Sequence, residues 1–469
     1  MPGMNVMVPL GGIGSRFQKE GYKYPKPFVR VLGKEMILWV VDSLKLRKED
    51  SLVVVYNPAF LDMRELMEMV VQHVPGTILV ELPGPTRGAA ETVRIGLEGL
   101  SASQRSRPTM LVDGDAFYTV DIVSMYRAIS TKAGGSFCFR DTQPKPIYSY
   151  VTCVRGVRTI ASIDASRRWR AGGVDVRPPR RHRRDRVTRS KPSPRPRITH
   201  RVGADGKQIT SIKEKVKISD WANTGCYCFR DGQQLLKYCA QIIERGETQL
   251  SQDMKGEFYT SGVIKAMLDD GERFEALVLD KEAMHVLGTP AQLKDFCRTW
   301  PKPTAYRVCF DLDNTLFGPP EVSGDYSTCR PIPRAVRMCR HLKTMGHHII
   351  LHTARRMRTH GANVGAVVAD VGAVTIQSLQ DAGIEYDELH FGKPWAQFYI
   401  DDCGVNAYAD LEKELGYYPP TAAAVASKYV PSPVASTPPS VVGRARHSST
   451  TVALAAALGV AVGVLAARK

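Results

Sequence analysis

The 469-residue chain reads as α/β, with two three-layer domains in succession and a membrane-anchor helix at the C-terminal end. Three observations carry this reading. Short β-rich apolar runs alternate with amphipathic helical stretches from the start, the same rhythm restarts near Arg307, and an uncharged run lies near the C-terminus. Alternation of this kind implies sheets covered by helices on both faces. The length allows more than one core.

In the first block, the runs Asn5–Pro9, Ser51–Tyr56, Thr77–Glu81 and Thr109–Val112 read as buried strands. Amphipathic stretches at Pro58–His73 and Ala89–Leu100 lie between them, predicting an open, mostly parallel sheet. In the second block Arg307–Phe310, His347–Leu351 and Phe398–Ile400 read as strands, and Trp300-Pro-Lys-Pro303 marks the boundary. The expected domains are residues 1–300 and 301–418. Residues 155–203 show neither helical nor strand period, so they read as an arginine-rich insertion that is disordered or an exposed loop, idle or mistranslated in preference to the alternative of binding nucleic acid or another acidic surface. Without them, Tyr148-Ser-Tyr-Val151 would meet Ala204–Thr210 as strand, turn and strand.

Residues 419–448 have linker composition, rich in Ala, Pro, Ser and Val. Residues 449–467 then approach the roughly 17–25 residues that span a bilayer. We read them as a transmembrane anchor, with a loosely packed alanine-rich helix as the alternative.

The formal net charge of +17 suggests nucleic acid as a partner, but its distribution argues against this. From Arg155 to Arg201, fifteen arginines and Lys191 face only Asp164, Asp175 and Asp185. That segment alone carries a net +13, leaving about +4 for the rest of the chain. The ten cysteines form no CxxC pair and no zinc-type cluster, which fits a reduced, cytoplasmic setting. Cys226 and Cys228 are expected on opposite faces of a strand. The N-terminus runs directly into strand-like Met4–Pro9, an expectation of no signal peptide.

The first chemical motif follows the first strand: Leu10-Gly-Gly-Ile-Gly-Ser-Arg16, then Pro25-Lys-Pro27. The glycines space neither as a dinucleotide fingerprint nor as a Walker loop. Successive glycine N–H groups can still cradle phosphate oxygens, with Arg16 and Lys26 supplying positive charge. Further along come Thr86-Arg-Gly-Ala-Ala-Glu-Thr92, Leu111-Val-Asp-Gly-Asp115, Glu214-Lys215, Asn223-Thr-Gly225 and Gly288-Thr-Pro290.

In this order the motifs resemble those of the sugar-phosphate nucleotidyltransferases, over roughly residues 4–297 without the insertion. The resemblance implies a GT-A-type, Rossmann-like mixed sheet. It assigns nucleotide binding to Leu10, Gly11, Gly12, Gly14, Arg16, Lys26, Gly88 and Asp113, with Arg16 and Lys26 also catalytic. Asp115 would bind Mg2+. Glu214, Lys215, Asn223, Thr224 and Gly225 would hold a phosphorylated sugar or alcohol. Many members carry a second metal-binding aspartate where this chain has Val286.

The second motif, Phe310-Asp-Leu-Asp-Asn-Thr-Leu316, delivers two carboxylates from an apolar strand. Thr353, Lys393 and the acidic pair Asp401-Asp402 follow. Together these resemble the haloacid dehalogenase-like phosphatases, and Thr353–Arg358 with Gly392–Trp395 looks closest to the small phosphatases encoded with capsular polysaccharide genes. The short intervals imply a small capless parallel sheet. By this resemblance Asp311 is the nucleophile and Asp313 the acid and base, while Thr353 and Lys393 hold the phosphoryl group. Mg2+ would lie on Asp311, Asp313 and Asp401 or Asp402. His347, His348 and His352 read as structural.

The resulting expectation is a bifunctional, membrane-tethered enzyme of activated-sugar metabolism. It would take an NTP and a phosphorylated sugar or alcohol, release pyrophosphate, and separately hydrolyse a phosphomonoester. Two other readings remain open at this point: a phosphatase that processes nucleic-acid ends, and a nucleotide-binding membrane sensor with an inactive transferase domain.

Overall fold

A computed structural model describes residues 3–12, 14–59, 63–153, 207–250, 256–301, 304–401 and 403–420. The arginine-rich insertion, the linker beyond residue 420 and the expected membrane anchor lie outside the described residues. Among the described residues no helix is long and apolar enough to cross a membrane.

The main sheet has nine strands: β1 Asn5–Leu10, β2 Ser51–Tyr56, β3 Ile78–Glu81, β4 Thr109–Val112, β5 Gly134–Arg140, β6 Ser149–Cys153, β7 Lys207–Glu214, β8 Trp221–Phe229 and β9 Phe274–Val278. Their spatial order is β3-β2-β1-β4-β8-β5-β9-β7-β6. The first four are parallel, but β8 runs antiparallel to both β4 and β5, and β7 antiparallel to β9 and β6. The sheet is therefore mixed, which corrects the mostly parallel expectation. Helix–strand alternation is strict only through the first 112 residues; beyond them β5 passes to β6, and β7 to β8, without a helix between.

Side chains alternate across this sheet, as the strand period requires. Val6 and Val8 enter one core layer and Met7 the other; Leu52 and Val54 face Val53 and Val55 in the same way. Helices Met63–His73 and Ala89–Glu98 occupy the stretches expected to be helical. The two expected strands also pair, with β6 and β7 antiparallel and Ile212 opposite Val151, while the expected turn lies outside the described residues. Cys226 and Cys228 both enter the first core layer. This overturns the opposite-face expectation, since residues two apart on a strand share a face. None of the ten cysteines forms a disulfide.

The second sheet is three parallel strands, β10 Arg307–Phe310, β11 His348–Thr353 and β12 Glu388–Phe391. Helix Pro333–Thr344 connects the first two, and helix Val364–Asp381 connects the second two. The expected strand Phe398–Ile400 does not form; Phe398 and Ile400 are 85% and 101% exposed. The run is apolar enough for a strand, but no neighbour supplies its ladder hydrogen bonds. His347 is structural as expected: it is buried, its Nδ1 accepts the Tyr306 N–H at 3.0 Å, and its ring packs on Tyr306 and Tyr417.

One apolar cluster continues from the first sheet into the second, so residues up to Pro419 form one compact unit. Trp300, placed by sequence at a boundary, packs edge-on against Trp39 and tilted against Phe296. The last described helix, Leu411–Leu415, folds back onto the hairpin just after Lys26: the N–H groups of Leu32 and Gly33 donate to Gly416 and Leu415 carbonyls at 3.1 and 2.9 Å. Beside it the buried Tyr22 and Tyr418 hydroxyls meet at 2.9 Å.

Candidate active sites

The first site lies where the strand order turns, at the C-terminal ends of β1 and β4, the place in an open α/β sheet where ligands bind. From β1 the chain enters the glycine loop. Gly12 faces open space, while Gly11 lies so close to Thr86 and Thr92 that a Cβ would sit 2.6 Å from the Thr92 hydroxyl. Gly14 takes φ +63 and caps helix Ser15–Lys19. A Cβ there would be 2.8 Å from the Lys26 Cβ, so the lysine stem runs along the loop. The Lys26 ammonium donates to Asp115 Oδ2. Arg16 is exposed and Leu10 buried, packed over Gly114.

From β4, Asp113 and Asp115 emerge one residue apart. Asp113 is crowded by the cleft walls and by the like charges of Asp115 and Glu214, all of which push its carboxyl up; Lys26 opposes them. Its contact with solvent moderates that rise. Gly288 lies against Asp115, where a Cβ would be 2.9 Å from Oδ2, and the Leu287 N–H donates to the Asp115 carbonyl at 2.7 Å. Val286 pairs with Ala116 in a short ribbon beside this carboxylate.

Asn223-Thr-Gly225 forms an irregularity in β8 directly over Asp113. Gly225 has φ +85, and a Cβ would lie 2.2 Å from Asp113 Oδ2. The Asn223 side chain turns inward, donating to Ser136 Oγ at 2.7 Å and accepting the Gly225 N–H at 2.6 Å. Thr224 is buried, its Oγ1 bonded to the Tyr118 hydroxyl at 3.1 Å. These two side chains hold the turn, which leaves its backbone and Gly225 as the groups that face the cleft.

At the end of β7, Glu214 accepts hydrogen bonds from Ser149 at 2.5 Å and Ser261 at 2.8 Å. Lys215 adopts φ +51, a left-handed conformation costing a non-glycine residue about 1–2 kcal/mol. Its ammonium donates to the Tyr259 hydroxyl at 2.7 Å. The structure thus gathers Gly11, Lys26, Asp113, Asp115, Glu214, Gly225 and Gly288 from separate segments to one end of the sheet. Sequence reading passed over Tyr259 and Ser261, because their partners lie 44 and 47 residues away and no local period marks them.

The second site sits at the C-terminal ends of β10–β12. Lys393 Nζ donates to Asp311 Oδ2 at 2.9 Å, and Asp311 Oδ1 accepts the Leu312 N–H at 2.8 Å. Thr353 is buried at the end of β11, its hydroxyl accepting the Arg355 N–H at 3.1 Å. Arg355, also missed by sequence reading, is fully buried. Its Nε donates to Asp313 Oδ1 at 2.9 Å and its Nη1 to Thr375 Oγ1 at 3.0 Å, with the Tyr326 ring 4.8 Å away. Desolvation raises the Asp313 carboxyl above its usual range despite this arginine.

Asp401 lies exposed on the non-strand segment and accepts the Cys403 N–H at 2.6 Å. Asp402 lies outside the described residues. Among the described residues no three His, Cys, Asp or Glu side chains converge at metal-holding spacing. Mg2+ is commonly held by only one or two carboxylates together with substrate phosphates. Asp113 and Asp115 fit that requirement. For the second site the expected holders are Asp311, Asp313 and Asp401 or Asp402; Asp401 stands on a segment that is not a strand, and Asp402 lies outside the described residues.

No family model matches the chain, and no curated protein matches it. Among solved structures, a nucleoside-diphosphate-sugar pyrophosphorylase from Vibrio cholerae RC9 is 18% identical, with 63% of this chain and all of that chain covered and a TM-score of 0.44. An inositol-1-phosphate CTP transferase from T. maritima is 13% identical over 62% of this chain and 91% of its own, with a TM-score of 0.41. A UTP-bound UGPase from Acinetobacter baumannii is 12% identical over 65% and 96%, with a TM-score of 0.40. With TM-scores below 0.5 these likenesses carry no argument, and the functional reading rests on the sites.

Proposed function

We propose that the first site transfers a nucleotidyl group from an NTP to a phosphorylated sugar or alcohol. The observation that carries this reading is the convergence of Lys26 on Asp115 beside the glycine loop, with Glu214-Lys215 on the same sheet end. An oxygen of the acceptor's phosphate attacks the α-phosphorus, the bond from that phosphorus to the bridging oxygen of the β-phosphate breaks, and pyrophosphate departs. The attacking phosphate is already ionised, so no general base is needed. The glycine N–H groups and Arg16 face the charge that departs, Lys26 holds the α-phosphate, and Lys215 holds the acceptor's phosphate. Mg2+ held by Asp113 and Asp115 would neutralise the leaving pyrophosphate.

The second site is proposed to hydrolyse a phosphomonoester. Asp311 attacks phosphorus, the ester P–O bond breaks, and Asp313 supplies the proton to the leaving oxygen. Water then attacks the aspartyl-phosphate with Asp313 as base, releasing phosphate and restoring Asp311. Lys393 and Thr353 hold the phosphoryl oxygens, and the raised Asp313 carboxyl suits a proton donor.

The deciding experiment is a pyrophosphate-release screen of the full chain with Mg2+, crossing four NTPs with a panel of sugar and alcohol phosphates. At least one pairing releases pyrophosphate in step with acceptor consumption; silence across the panel overturns the transferase reading. In an active pairing, Gly225→Ala is expected to lower release about a hundredfold, since the added methyl displaces Asp113. Kinetics beside a thermal melt of the variant check this.

A further inference from the structure

The segment Phe258–Ser261 touches both halves of the first site, although no motif marks it. Phe258 clasps the nucleotide segment through its backbone. Its N–H donates to the Arg87 carbonyl at 3.1 Å, and its carbonyl accepts the Ala90 N–H at 2.9 Å. The contact is close enough that only glycine fits opposite: Gly88 has φ +148, and a Cβ would lie 2.5 Å from the Phe258 oxygen. The Arg87 guanidinium lies over the Phe258 ring at 5.2 Å.

The next residues take hold of the acceptor pair. The Tyr259 hydroxyl accepts from the Lys215 ammonium at 2.7 Å, with its ring 4.5 Å from the same nitrogen. Ser261, buried at the start of helix Thr260–Asp269, donates to Glu214 Oε2 at 2.8 Å. Lys215 and Glu214 meet each other at only 4.0 Å, so these outside partners set their positions.

We infer that Tyr259 and Ser261 are positioning residues that aim Lys215 and Glu214 at the acceptor, while Phe258 ties the same segment to the nucleotide segment Arg87–Ala90. This rests on the transferase reading. Four consecutive residues then set the distance between the acceptor's phosphate and the α-phosphorus. A phenol suits this task because, as a neutral acceptor, it orients the ammonium without cancelling its charge.

The test compares Tyr259→Phe and Ser261→Ala with the wild-type full chain in an active pairing. Tyr259→Phe keeps the ring and removes only the hydroxyl. It is expected to raise the acceptor's KM about tenfold while the NTP's KM stays within twofold and the melting temperature is unchanged. Ser261→Ala should shift the same KM in the same direction. Equal rises in both KM values, or no rise in either, would overturn the inference. If the wild type releases no pyrophosphate with any pairing, the transferase reading has failed by itself. The Tyr259–Lys215 link is then read from the rate of Lys215 acetylation by acetic anhydride, followed by peptide mass spectrometry. About fivefold faster labelling in Tyr259→Phe supports the link, and equal rates overturn it.

Discussion

Replacing Asp115 by alanine is expected to reduce pyrophosphate release about a thousandfold in a chain that still folds. Asp115 meets the Lys26 ammonium, lies against Gly288, and sits one residue from Asp113. Its removal frees Lys26 from its place along the glycine loop. It also removes one of the two carboxylates available to a cation, and no neighbouring group replaces it. The half-exposed side chain makes little demand on the core, so the fold should survive. A coupled pyrophosphate assay measures the loss, and Asp311→Asn serves as its control. That variant keeps its release within twofold, since Asp311 sits on the other sheet and its ion pair is with Lys393. Equal losses in two folded variants would show that the sites are not separate.

The second large effect concerns Arg355→Met, which keeps most of the side-chain volume and removes the charge. The guanidinium is fully buried between Tyr326 and Phe317 and holds Asp313 and Thr375. Breaking a buried ion pair from one side costs about 3 kcal/mol, because the remaining charge loses its partner. Asp313 keeps some exposure and can take up a proton, which limits the cost to the lower end of that range. Urea unfolding followed by the aromatic signal is expected to show a reduced midpoint with an unchanged slope. Adding Asp313→Asn should then cost much less than it does alone, a coupling that a double-mutant cycle reads directly. Full additivity would remove Arg355 as the group that orients Asp313.

The parts of this molecule that were legible in the sequence are those governed by local period or by short motifs. Ser51–Tyr56 and Thr109–Val112 were read to the residue, because a buried strand is an unbroken apolar run between turn signals. Asp311, Asp313, Thr353 and Lys393 were legible because each follows or ends a strand of the second sheet. Phe398–Ile400 failed because apolar, β-prone residues state only a capacity for pairing. Tyr259, Ser261 and Arg355 were invisible for a related reason. Each acts through hydrogen bonds to residues distant along the chain, and a single tyrosine, serine or arginine carries no pattern that names its partners. Asn223 and Thr224 show the converse: the motif was visible, but the inward direction of its side chains was not.

The contact between Tyr22 and Tyr418 spans 396 residues of chain. Together with the hairpin bonds to Leu415 and Gly416, it places part of the outer wall of the Lys26 loop among the last described residues. During synthesis the ribosome completes the whole first sheet well before that wall exists. The emerging N-terminal portion must therefore wait, with Val31 and Leu32 uncovered on one side, until the second sheet and its closing helix have been made. A gene expressing only the first sheet would leave that waiting state as its end product, and the sticky flank should make the fragment more prone to associate than the full chain.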